Sequence, residues 1–182
     1  MKPQILPWKG VWPSIHPTAF VAPGATVIGR VTIGPRSSVW FNCVLRADIN
    51  EIVVGADTNI QDGTVIHVSG RHGTYIGDRV TIGHSAVVHA CRLEDECFVG
   101  IGASVLDAAI VESGAQIGAS ALVTPRKRVT KGMLWAGIPA KELRAVGETE
   151  RAQNLDIATR YVALAEQYRD QFKASLELPA AP

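Results

Sequence analysis

Reading every sixth residue gives Ile15, Val21, Val27, Ile33, Val39 and Leu45. The register resumes as Val54, Ile60 and Ile66, then as Ile76, Ile82 and Val88. It ends with Val99, Val105, Val111, Ile117, Val123, Val129 and Trp135. Only three breaks interrupt it. One aliphatic per six residues, commonly followed by Gly, Pro or Ala, fits neither a 3.6-residue helix nor period-two alternation. It is the signature of a hexapeptide β-helix. Three hexapeptides close one triangular coil of about 18 residues, each aliphatic stacks inward on its counterpart one coil away, and about seven coils share one core. The expected fold class is an all-β solenoid, a parallel β-helix.

After WAGIPAK the pattern changes in kind. Residues 148–175 contain no Pro or Gly and place Ile157, Tyr161, Leu164, Tyr168 and Phe172 at helical spacing. That predicts one amphipathic α-helix, packed along the outside of the prism or across a subunit boundary. No Gly/Ser-rich linker or charge block divides the 182 residues. The chain is therefore read as a β-helix domain with a short N-terminal segment over 1–141, and a C-terminal α-helix and tail over 142–182.

Composition excludes several classes of function. Lysine and arginine total 18 against 17 acidic residues, and no basic stripe follows the chain, so no nucleic-acid partner is expected. No apolar run approaches the length needed to cross a bilayer, and MKPQILPWKG has no apolar signal core; no membrane association is expected, and the expected location is cytoplasmic. Cys43, Cys91 and Cys97 form no CxxC pair, which reads as three small buried hydrophobes in a reducing compartment.

The same register locates the histidines. His67 directly follows inward Ile66, and His89 directly follows inward Val88, 22 residues later: one coil of 18 plus a four-residue insertion in HVSGRHGTY. The two should stack on one face, about 4.8 Å apart, the separation of neighbouring strands. Arg46 follows Leu45 and falls in the same column, because 45 to 66 is one coil plus three residues. By the same arithmetic Ile60 lies beneath Ile82, so Gln61, Asp62 and His84 belong to the preceding face of the triangle. Faces of a triangular prism diverge by about 120°, so His84 should not reach His67 and His89 within one chain. A homotrimer could bring it there. Prisms packed about a threefold axis would set face one of each copy against face two of the next, converge three imidazoles at each interface and carry Arg46 towards Asp62. Three neutral imidazoles with a fourth position open are the ligand set of a catalytic zinc site. His16 and His72 read by default as hydrogen-bonded or surface histidines.

The run NIQDGTVIHV followed by YIGDRVTIGHSAVVHAC, with LRAD upstream, resembles the gamma-class carbonic anhydrases, left-handed β-helical trimers with interfacial zinc. The resemblance covers residues 11–141. It implies a left-handed coil and metal binding by His67, His84 and His89. It further implies that Gln61 orients a metal-bound hydroxide and that Arg46, Asp48 and Asp62 form an intersubunit polar network. Asn59 matches a supporting position near the ligands, and Tyr161 resembles a tyrosine that relatives bring near the metal. The implied activity is that of a lyase, the reversible hydration of CO2 to bicarbonate by a zinc-bound hydroxide. Three histidines also suit Fe2+ or Co2+.

The sequence departs from the family where protons leave. A glutamate after the Arg-x-Asp motif and an acidic loop after the first ligand are replaced by Ile49 and by the short loop SGRHG. His72, in that loop, is a candidate proton shuttle, since an imidazole has an ordinary pKa of about 6.5. Two rival readings stand beside hydration. One is an acyl-CoA thioesterase or acyltransferase of the hexapeptide-repeat class, and the other is a non-catalytic metal-binding assembly subunit.

Overall fold

A computed structural model of the chain describes residues 2–177, and residues 178–182 of the expected C-terminal unit lie outside the described residues. The inward aliphatics form three parallel ladders, one per face of a left-handed parallel β-helix of about seven turns. Face one stacks Ile5, Val27, Leu45, Ile66, Val88, Val105 and Val123. Face two stacks Val21, Val39, Ile60, Ile82, Val99, Ile117 and Trp135. Face three stacks Ile15, Ile33, Val54, Ile76, Leu93, Val111 and Val129. Nearly all of these side chains are buried in one continuous core.

Every position of the six-residue register is thus an inward rung, and the structure adds two that it skips, Ile5 and Leu93. Leu93 follows Val88 by five residues, so this side of the coil is one residue short and counting by six lands on Glu94. Ile5 is separated from Ile15 by a small hairpin in which Trp8 and Val11 pair antiparallel.

The corners share a conformational device. Asn42, Gly63, Ser85, Gly102 and Ser120 occupy the turn from face two to face one in successive coils, all with positive φ between 57° and 70°. One left-handed residue per corner redirects the chain without lengthening the coil, and small or short polar side chains tolerate it best. Gly63 serves this purpose directly after Asp62, as Ser85 does directly after His84.

The last ladder gains one antiparallel strand, Lys141–Ala145, and the helix Glu148–Glu177 then runs back along face two. Its seam is Ala158, Tyr161, Ala165, Tyr168 and Phe172, a three-four alternation that differs from the expected one at two places. Ala158 and Ala165 are buried, whereas Leu164 is 37% exposed. Alanine at the seam lets the helix approach closely enough for Tyr161 and Tyr168 to pack edge-on against Trp40, at 5.4 and 5.2 Å between ring centroids. Phe20 and Phe41 complete this second cluster. Arg151 ties the helix to Glu96 at 2.7 Å, and Arg169 donates to the Thr18 carbonyl.

No helix among the described residues is long and apolar enough to cross a membrane. The three cysteines are free and buried. Burial pushes the thiols of Cys43 and Cys91 up to about 12 and raises that of Cys97 likewise, which suits inert core residues.

Trp40 is the centre of the helix dock. Trp40→Ala should cost about 3–5 kcal/mol, and amide exchange should accelerate through residues 155–172 while the β-helix interior stays protected.

Candidate metal site

Parallel pairing sets Arg46 beside His67 and His67 beside His89 on successive strands of face one. The strands Val65–His67 and Val87–His89 each turn a valine outward, the next residue inward and the histidine outward. Thr74, fully buried, locks the corner behind them. Its hydroxyl donates to the His67 carbonyl at 2.6 Å and accepts from the Ala90 amide at 2.9 Å.

The two rings tilt towards each other, with centroids 5.2 Å apart. His67 Nε2 lies 3.0 Å from Asp48 Oδ1, and His89 Nδ1 lies 2.7 Å from Asp107 Oδ1. A carboxylate can only accept, so each ring donates from that outer nitrogen. The inner nitrogens, His67 Nδ1 and His89 Nε2, face each other at 3.1 Å. In two neutral rings both present lone pairs, an arrangement that is repulsive unless a cation, either a proton or a metal ion, lies between them. Two nitrogens bound to one tetrahedral zinc stand about 3.3 Å apart. The pair therefore fits zinc in donor type, spacing and carboxylate backing.

Asp48 also takes the guanidinium of Arg46. Burial alone would push the Asp48 carboxyl up, but the hydrogen bonds from His67 and Arg46 outweigh it and hold it below the ordinary carboxylate range.

Face two carries the remaining expected residues. Ile60 pairs with Ile82 as the register requires, and His84 Nδ1 meets Asp62 Oδ2 at 2.7 Å. Asp62 also accepts from the Phe41 amide. Behind them runs a buried relay. Asn59 Nδ2 donates to Thr81 Oγ1 at 2.9 Å and approaches the Val80 carbonyl at 3.5 Å, and Gln61 Nε2 donates to Asn59 Oδ1 at 3.1 Å. The Val80 carbonyl only accepts, which orients both amides and leaves Gln61 Oε1 as the free acceptor at the end of the relay. Tyr161 is half-buried beside Trp40. Burial pushes its phenol up, and the charge of Asp62 adds to the shift.

Within one chain, then, Arg46, Asp48, His67 and His89 come together on face one, and Asn59, Gln61, Asp62, His84 and Tyr161 on face two. Among the described residues no three His, Cys, Asp or Glu side chains of one chain are arranged to hold a metal ion. His16 is exposed and bonds Thr18 locally. His72 is exposed at the tip of its loop, where its amide and carbonyl bond Ser69, and it lines a cleft of about 300 Å³ together with Asp107.

Asp107 is the residue that the sequence reading passed over. The register alone does not single it out: the coil from Val88 to Val105 is 17 residues, so the column of His89 continues at Leu106 and Asp107 is the next residue along.

A depressed carboxyl contributes stability above its unfolded value, about 3.9, and loses it as pH falls through the lower folded value. Asp48→Asn should therefore destabilise the chain by about 1 kcal/mol or less at pH 6, and the difference should vanish near pH 2. Urea midpoints at the two pH values measure this.

The chain is 48% identical over 162 residues to gamma carbonic anhydrase 1, mitochondrial, of Arabidopsis thaliana, with 86% of this chain and 59% of that protein covered. It thus spans about three fifths of the length of that plant relative. It is 37% identical over 166 residues to a carbonic anhydrase of Geobacillus kaustophilus, with 91% of each covered. Among solved structures, a hexapeptide transferase family protein from Anaplasma phagocytophilum superposes with a TM-score of 0.88 at 46% identity, covering 91% of this chain and 98% of that one. No family model matches the chain.

Proposed function

Since this chain belongs to the gamma carbonic anhydrase family, we propose that it hydrates CO2 reversibly to bicarbonate. The metal would be held by His67 and His89 of one copy and His84 of the next copy in a homotrimer. The observation that carries this reading is the row Asp48, His67, His89, Asp107, whose two inner nitrogens call for a cation between them. A third imidazole is needed to complete a catalytic set, and His84 sits on a corner of the prism with its Nε2 turned away from Asp62. Val65 and Val87, 40% and 37% exposed, flank the histidine pair with an apolar strip that a second copy would bury.

Zinc is the metal the ligand type favours, with Fe2+ or Co2+ as alternatives. Carbonic anhydrase zinc is the standard case of an ion that lowers the pKa of water to about 7, which readies that water to attack the carbon of CO2. The residues of this chain have the remaining work. Gln61 Oε1, fixed by Asn59 and Thr81, can accept a hydrogen bond from the attacking water and so aim its lone pair. Tyr161 borders the same corner of face two. In the trimer Arg46, Asp48 and Asp62 would form a polar network across the boundary, with Arg46 exchanging between the two carboxylates. A proton must then reach solvent. Ile49 is exposed where an acid would serve, so His72, sharing a cleft with Asp107, is the group proposed to carry that proton.

Three outcomes are expected. Purified protein should hold about one metal ion per chain, and His89→Ala should lose both metal and CO2 hydration by stopped flow. Mixed and refolded His84→Ala and His89→Ala chains should regain about a quarter of wild-type activity, because one interface in four then has an intact ligand set; no recovery would refute a shared site. Replacing His72 with alanine should slow turnover, and exogenous imidazole should restore it. An unaltered buffer dependence would remove His72 from the scheme.

A further inference from the structure

We propose that Asp107 is the positioning residue for His89, fixing which ring nitrogen faces His67. This deepens the metal reading above and rests on it only for the identity of the bound cation. His89 Nδ1 lies 2.7 Å from Asp107 Oδ1, and no other side chain or amide among the described residues bonds that carboxylate. Arg71 and Arg126 line the same cleft and form no ion pair with it. Asp48, by contrast, divides itself between His67 and Arg46. Asp107 is thus committed to one imidazole.

The backbone holds it for that task. Asp107 lies in the turn that follows strand Ser104–Val105, where Ala108 takes a φ of 56°. The Ala108 amide donates to the Ala90 carbonyl at 2.7 Å, and the Arg126 amide donates to the Asp107 carbonyl at 2.8 Å. The coils before and after therefore pin the backbone that carries the carboxylate against the residue that follows His89. A loop carboxylate free to swing could not hold one tautomer.

The choice of nitrogen matters because the two rings are used in opposite senses. Asp48 engages Nε2 of His67 and leaves its Nδ1 inward, whereas Asp107 engages Nδ1 of His89 and leaves its Nε2 inward. With Nδ1 carrying the proton, His89 Nε2 is obliged to present a lone pair or a second proton to His67. Without Asp107 either nitrogen can carry the proton, and half of the ligand pair loses its preset orientation.

The test reads the ring itself as well as the metal. In metal-free, isotopically labelled protein at pH 8, long-range 15N–1H spectra should show His89 as one Nδ1–H tautomer, and Asp107→Ala should show a mixture. Co2+ affinity, measured against a competing chelator, should fall about 10- to 100-fold in Asp107→Ala. Asp107→Asn, whose carbonyl oxygen still accepts, should lose less, and the unfolding midpoints of both variants should stay near that of the parent. An unchanged tautomer together with undiminished Co2+ affinity would overturn the assignment. If the parent protein takes up no Co2+, the metal reading fails, and the tautomer comparison alone decides the role of Asp107.

Discussion

Parallel hydrogen bonding between successive coils is the constraint on which the rest of the structure depends. Each strand pairs in register with its counterpart above and below, and a slip of one residue would turn every inward aliphatic outward. The histidines follow their inward neighbours by one position, so the same slip would bury them. Insertions are tolerated only where they spare this register. The three extra residues before Val54 and the four extra before Ile76 enlarge the corner between faces one and three; the pairing shifts at the first of them, between Gly29 and Val31, and the inward rungs match again on either side. Asp48 and His72 both lie in those insertions. Asp48, which backs His67, therefore comes from a place where the repeat is relaxed, while both histidines and Asp107, which backs His89, come from places where it is regular.

Strand spacing alone does not bring two imidazole nitrogens this close. Neighbouring backbones stand about 4.8 Å apart, whereas the inner nitrogens of His67 and His89 stand 3.1 Å apart. The difference is made up by side chains leaning together, with the ring planes inclined at 47°. Asp48 and Asp107 hold that lean from outside, one on each ring, through the nitrogens that the pair does not use. Burial of Thr74 under the same corner fixes the carbonyl and amide from which the strands depart. A site assembled from rigid strands and short corners needs little reorganisation to receive an ion, which is where much of the advantage of a preset site lies.

Much of this was legible in the sequence because the repeat converts residue number into position. Counting by six yields the three ladders, and counting by 18 plus the insertions puts His67 over Arg46 and His84 over Asp62. The misses have physical causes. Leu93 escaped because a one-residue deletion breaks the count without leaving a gap in hydrophobicity, and Ile5 because a hairpin separates it from the first regular rung. In the helix, Leu164 has the apolar character of a seam residue but faces solvent. Close approach to the flat, aromatic-lined face two favours Ala165, which propensity and hydrophobicity do not distinguish from a surface alanine. Asp107 escaped because the same one-residue deletion puts Leu106 in the column of His89, and the choice of ring nitrogen escaped because it depends on hydrogen-bond geometry that no spacing encodes.

The division of the expected site between two faces follows from the same geometry. A prism of this width cannot turn His84 towards His67 and His89, for the corner between faces two and one lies between them. The helix narrows the options further, since its aromatic seam covers the middle of face two, Phe41 included, and leaves the row from Asp62 through His84 to Ile101 at the edge. That edge combines a carboxylate-backed imidazole with Ile101, which is 57% exposed. Face one answers it with exposed valines beside its own carboxylate-backed imidazoles. The two groups on one chain are alike in kind, each with carboxylate-backed imidazole at its centre and exposed aliphatic side chains beside it. The proposed association of copies about a threefold axis would join them without rebuilding either group, so that the repeat that builds the fold would also supply the surface on which the proposed chemistry depends.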